Sequence, residues 1–120
     1  MKVAVTSQGT DMASQVDQRF GRARCFIVLD TDTGEFEAHD NAQNLNAVQG
    51  AGIQAAQNVV DLGAGAVITG NVGPKAFATL QAGGVETYIG ASGPVGDAVE
   101  QFKAGKLQKA GQANVEGHWA

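Results

Sequence analysis

Residues 19–24 read Arg-Phe-Gly-Arg-Ala-Arg, a short stretch that holds Arg19, Arg22 and Arg24 and no acid. These are three of only eight Lys and Arg in a chain of 120 residues with a net charge of −4, so the cluster runs against the overall balance. Guanidinium groups at this density form either an anion site or a solvated basic loop, and composition allows both.

Two further stretches offer anion chemistry of another kind. Gly70-Asn71-Val72-Gly73-Pro74 and Gly90-Ala91-Ser92-Gly93-Pro94 each follow an apolar run and each precede a helical period. Glycine lets the backbone approach a ligand closely, and the start of the next helix presents free N–H groups at the positive end of its dipole. Asn71, Val72 and Gly73 in one loop, and Ala91, Ser92 and Gly93 in the other, are the candidate backbone donors. Lys75 opens the helix after the first loop, where a cation opposes the dipole. A bound anion relieves that conflict, while an exposed lysine tolerates it at small cost. Gly-rich loops between strand and helix are common, so neither loop is specific alone.

The other reactive side chains have plainer readings. Cys25 begins an apolar run, residues 25–29, and reads as a small buried hydrophobe rather than a ligand. His39 falls on the polar side of an edge strand and His118 in the C-terminal tail, with no Cys/His spacing of a zinc site. For Asp11 and Asp17, solvation or helix capping suffices. The phosphate loop G-x-x-x-x-G-K-[ST], the G-x-S-x-G elbow and H-E-x-x-H are all missing, and residues 2–6 and 66–69 carry no acid for a two-metal nuclease. The residues therefore point to an anion-binding protein rather than an enzyme. The rivals are an enzyme or binding protein acting on a small phosphorylated ligand in the same crevice, and a pure protein-interaction module.

The elements that position these groups follow from periodicity. Residues 2–6 and 24–30 are apolar strands, a turn follows at 31–34, and 35–40 alternates as an edge strand of a hairpin. Val48, Gly52, Ile53, Ala56, Val59 and Val60 fall on one helical face, ended by Gly63. Residues 66–69 are a buried strand, Ala76, Phe77 and Leu80 a short helix after Pro74, residues 85–89 a strand, and Val95, Ala98, Val99 and Phe102 a last helix. After Gly105 the apolar period stops, which predicts one domain over residues 1–105 and a loosely held tail over 106–120. The order β, β, β, α, β, α, β, α implies a mixed α/β sheet with helices on both faces, the later strands parallel to the first. Ligands then bind beyond the carboxyl ends of the parallel strands, where the two Gly-rich loops and the loop after residue 6 meet.

Net charge −4 argues against nucleic acid or an acidic membrane as a whole-surface partner. With no signal peptide, no membrane span and a single cysteine, a cytoplasmic location is expected.

Over roughly residues 1–106 the chain resembles the dinitrogenase iron–molybdenum cofactor biosynthesis family. The likeness rests on Lys2-Val3-Ala4-Val5-Thr6 as first strand and on Arg19-Phe20-Gly21-Arg22-Ala23-Arg24-Cys25-Phe26 as the x-F-G-x-x-x-x-F signature. It rests also on residues 65–77 as strand, Gly-loop and helix, and on Gly84-Val85-Glu86-Thr87-Tyr88 as the strand that follows. The resemblance implies a ribonuclease-H-like fold that carries or delivers metal–sulfur cofactors. Its small stand-alone members imply a molybdenum–copper–sulfide cluster, or a related iron–molybdenum cofactor precursor, held non-covalently. Many members have His where this chain has Arg19, so a His ligand does not carry over. The combined expectation is a three-layer α/β domain with a five-stranded mixed sheet ordered 3-2-1-4-5. It would carry or store an anionic cluster and exchange it with a donor or acceptor protein. The expected site comprises Arg19, Phe20, Gly21, Arg22, Arg24, Asn71, Val72, Gly73, Lys75, Ala91, Ser92 and Gly93, with Phe20 as an apolar wall and no protein ligand to metal.

Overall fold

The computed structural model describes residues 1–41 and 51–114. Strand β1 (Lys2–Ser7) is buried from its second residue onward, because it has a neighbour on each edge and a layer on each face. β2 (Cys25–Asp30) pairs with it antiparallel, Val3 opposite Leu29 and Val5 opposite Ile27. β3 (Phe36–Asp40) folds back along β2 as the exposed edge. On the other side of β1, β4 (Ala66–Ile68) and then β5 (Glu86–Ile89) run parallel to it.

The alternation within β1 divides the core. Ala4 points, with Phe26, Val28 and Val67, toward helices α1 (Ala51–Asp61) and α2 (Pro74–Ala82), which contribute Ala55, Ala56, Val59, Ala76 and Leu80. Val3 and Val5 point, with Ile27, Leu29 and Ile68, toward α3 (Val95–Lys103), which contributes Val95, Ala98 and Val99. Each buried Val, Leu or Ile is worth about 1.5–3 kcal/mol against exposure, so both faces must be covered. The result is the expected three layers. No helix among the described residues is long and apolar enough to cross a membrane.

Three expectations need correction. The sheet has six strands in the order β3-β2-β1-β4-β5-β6, not five. The sixth, β6 (Gln108–Lys109), pairs antiparallel with β5 and belongs to the segment expected to be a loose tail. It is held by backbone bonds and by Lys109 Nζ, 3.4 Å from Glu86 Oε1, and leaves no apolar period to read. Ile53, assigned to the buried face of α1, is 41% exposed. The buried stripe is Ala51, Ala55, Ala56 and Val59 instead, because α1 lies close against α2: a Cβ at Gly52 would sit 3.3 Å from that of Ala76. Val48 and His118 lie outside the described residues.

Candidate functional site

Because β1, β4 and β5 are parallel, they end at one edge of the sheet, and the loops leaving them meet there. Gln18 is the joint. Its side-chain amide donates to the Ala91 carbonyl at 2.9 Å, and its own carbonyl accepts the Asn71 side-chain amide at 3.0 Å. Next to it Arg19 pairs with Asn71 in a parallel bridge, and the Phe20 N–H donates to the Asn71 carbonyl at 3.2 Å. The Gly90 N–H donates to the Gly70 carbonyl at 3.0 Å, which closes the ring of three loops. Below them the buried hydroxyls of Thr6 and Thr69 lie 2.9 Å apart, and Thr6 donates to the Asp17 carbonyl at 2.7 Å.

The far end of the basic segment is fixed by Asn41, which is 2% exposed. Its side-chain amide donates to the Ala23 carbonyl at 2.8 Å and its backbone N–H to that of Arg24 at 3.0 Å. Phe20 is fully buried, its ring centroid 5.6 Å from that of Phe26, between the sheet and the α1–α2 layer. It anchors the segment in the core and does not form the apolar wall expected of it. Gly21 is buried beside it, Arg22 is half-buried, and Arg19, Arg24 and Lys75 are exposed. Among the described residues Arg19, Arg24 and Lys75 make no ion pair, whereas Lys103, Lys109 and the amino terminus each have a carboxylate partner. Three cations of this segment and of the start of α2 thus have no carboxylate partner among the described residues.

The backbone donors are only partly available. The Ala91 N–H is taken by the Thr69 carbonyl at 3.2 Å and the Val72 N–H by Asn114 Oδ1 at 2.7 Å. The start of α3 is also closed, since Val95 and Gly96 donate to the Ser14 and Met12 carbonyls at 2.8 and 2.9 Å. The start of α2 is different: Gly73 caps it without a side-chain bond, leaving the N–H groups of Lys75 and Ala76 without a partner among the described residues. Ser92 and Gly93 likewise have no acceptor there. Gly93 has φ +79°, a backbone that costs a non-glycine residue about 1–2 kcal/mol. Gly73, at φ −82° and ψ 170°, is in a region open to any residue.

Gln18, Thr6, Thr69, Asn41 and Asn114 were not among the residues expected at this edge. The two threonines could have been flagged as hydroxyls ending apolar strands; the amides carry no local signal.

Cys25 lies at the same edge, buried at 3% exposure, with Sγ 2.8 Å from the Gly9 carbonyl. Burial pushes its thiol above the usual range, so the neutral form prevails at neutral pH. Cys25→Ala is expected to cost about 1–2 kcal/mol in urea unfolding and to leave ligand uptake unchanged. Because the folded thiol titrates higher than the unfolded one, wild-type stability should decline as pH rises past the ordinary thiol value, and the alanine variant should lack that decline.

A groove of about 540 Å³ lies at the opposite edge, lined by Lys2, Asp30, Glu35, Phe36, Glu37 and His39 among others. Its carboxylates make it unfit for an anion, and His39 Nε2 there lies 3.4 Å from Glu37 Oε2. No three His, Cys, Asp or Glu side chains come together for a metal ion among the described residues.

The chain is similar to several known proteins. The apo form of the orange protein of Desulfovibrio gigas is 41% identical, covering 95% of this chain and 96% of that one, with a TM-score of 0.93. A NifB-like protein of Thermotoga is 37% identical over 97% of this chain and 98% of its own, with a TM-score of 0.83. An uncharacterized protein of Methanocaldococcus jannaschii is 26% identical over 98 residues, 80% of this chain and 83% of that one. The model of the family described as dinitrogenase iron-molybdenum cofactor matches residues 1–105, so the chain belongs to that family.

Proposed function

We propose that the chain binds a preformed, anionic, molybdenum-containing metal–sulfide cluster at the carboxyl edge of its sheet, as a carrier or store rather than a catalyst. The observation that carries this is the pairing of Arg19 with Asn71. It sets the backbone of an exposed arginine, which has no ion pair among the described residues, beside the loop that leads into the uncapped start of α2, where Lys75 adds a second cation. Family membership and the likeness to the orange protein support metal-cluster handling as the role of this edge. A molybdenum–copper–sulfide cluster is the proposed cargo. Sulfide-rich anions are large and diffusely charged, so an edge of guanidinium and backbone N–H groups retains them without protein ligands. A donor or acceptor protein would reach the cluster at this exposed edge.

Anaerobic incubation with tetrathiomolybdate and copper, followed by desalting, tests the reading. Metal analysis and the visible spectrum should show both metals retained at low salt; protein that emerges metal-free refutes it. Gly73→Val gives a steric check, since Gly73 needs no left-handed backbone. Uptake should fall about tenfold or more, with melting temperature measured on the same samples. A folded variant with its full complement of metal would move the site elsewhere.

A further inference from the structure

The C-terminal segment returns to the loop that leads into α2. After β6, the Ala110 N–H donates to the Thr87 carbonyl at 2.8 Å, which fastens the chain to β5. Residues 111–114 then lead away from β5, beginning with an exposed Gly111. In this arm Asn114 makes three bonds to one loop. Its side-chain oxygen accepts the Val72 N–H at 2.7 Å, its side-chain amide donates to Asn71 Oδ1 at 3.0 Å, and its backbone N–H donates to the Val72 carbonyl at 3.1 Å.

The place of these bonds gives them meaning. Val72 lies between Asn71, which pairs with Arg19, and Gly73, which begins the uncapped α2. Its N–H is the kind of donor an anion would take at this edge, and a neutral amide oxygen now holds it. We infer that Asn114 is a displaceable strap: its side chain occupies a donor that a bound anion takes over, so ligand and C-terminal arm compete for one backbone N–H. The inference rests on the proposed function and adds a regulation of the same site.

The competition is winnable by the ligand. A neutral amide–N–H bond contributes little net free energy, whereas an anionic acceptor bonds the same donor more strongly. Release need not disturb the sheet, because Gln108 and Lys109 pair with β5 and Ala110 is fastened separately, ahead of the arm. A ligand that must first displace the arm binds with an affinity scaled down to the fraction of molecules in which the arm is released. Anything that draws the arm away, such as a receiving protein that grips it, would then alter retention of the cluster without touching the arginines.

The test compares wild type with Asn114→Ala, titrated with tetrathiomolybdate and copper at low salt. Asn114→Ala should bind about three- to tenfold tighter and load faster, since one competing hydrogen bond is gone. In the absence of metal, hydrogen exchange at the Val72 amide should be faster in the variant. Wild type that binds while Asn114→Ala binds equally or more weakly would overturn the strap and make Asn114 a brace, leaving the proposed function standing. Wild type that fails to bind the probe removes both. A second readout needs no variant: on loading, the Asn114 side-chain amide signals of the wild-type protein should shift in its NMR spectrum. Unchanged signals in metal-loaded protein would overturn the inference.

Discussion

Reversing Arg19, Arg24 and Lys75 together to glutamate is expected to abolish uptake of the tetrathiomolybdate–copper probe at low salt, with at least about a hundredfold loss of affinity, or about 2.7 kcal/mol. All three side chains are exposed, and none has an ion pair among the described residues, so their charge is spent on no internal partner. Two unit charges 4 Å apart in water interact by about 1 kcal/mol, and each reversal replaces attraction with repulsion. Three such changes toward one multiply charged anion therefore exceed the loss stated, even after screening. The Debye length shrinks from about 10 Å at 0.1 M salt to about 3 Å at 1 M, so wild-type affinity should fall as salt rises and the gap to the variant should close. The fold should survive, because surface charges without partners contribute little to stability. Lys2→Glu is the control, since Lys2 begins β1 and lines the groove at the opposite edge of the sheet. Equal affinity of the triple variant and wild type at low salt would take these residues out of the site.

How much of this edge could be read in advance depends on the range of the interaction involved. β1 and β2 were legible because burial on both faces demands continuous apolar runs, and Val3 to Val5 and Cys25 to Leu29 supply them. The convergence of the loops followed from parallel strands ending at one edge, and the basic segment from its composition. The joints between loops were not legible. Gln18 bonds to Ala91, 73 residues away, and Asn71 to Gln18, 53 away; an amide of that kind looks in sequence like any exposed polar residue. Phe20 failed for a related reason, since its aromatic ring suits a ligand wall or a core equally well, and only its contact with Phe26 decides. Donor availability was misjudged at Ala91 because the carbonyl that takes its N–H, that of Thr69, lies at the end of a different strand. The same long-range bonding explains why β6 and Asn114 carry no periodic signal.

That dependence on close approach leads to a large expected effect on stability, at Gly70. Gly70 is buried, and a Cβ built on it would fall 2.8 Å from the Gln18 Cα as well as against the Gln18 side chain. Real Cβ atoms do not come so near, and because one of the opposing atoms belongs to the backbone, a rotamer change does not relieve the contact. In Gly70→Ala the Gln18 segment must therefore move, which strains its bonds to Ala91 and Asn71 and with them the pairing of Arg19. Overpacking of this kind costs about 1–3 kcal/mol, and the loss of one partly buried and one exposed hydrogen bond adds to it. A drop in melting temperature of about 10 °C is expected for a chain of this size. Metal uptake should fall as well in the fraction that remains folded, because Arg19 loses its backbone pairing with the loop that leads into α2. Adding Gln18→Ala should recover only part of the melting temperature, since it removes the side-chain contact and leaves the Cα in place. Full recovery in the double variant would show that the clash was with the side chain alone. A melting temperature unchanged by Gly70→Ala would mean that the loops do not lock together through Gln18.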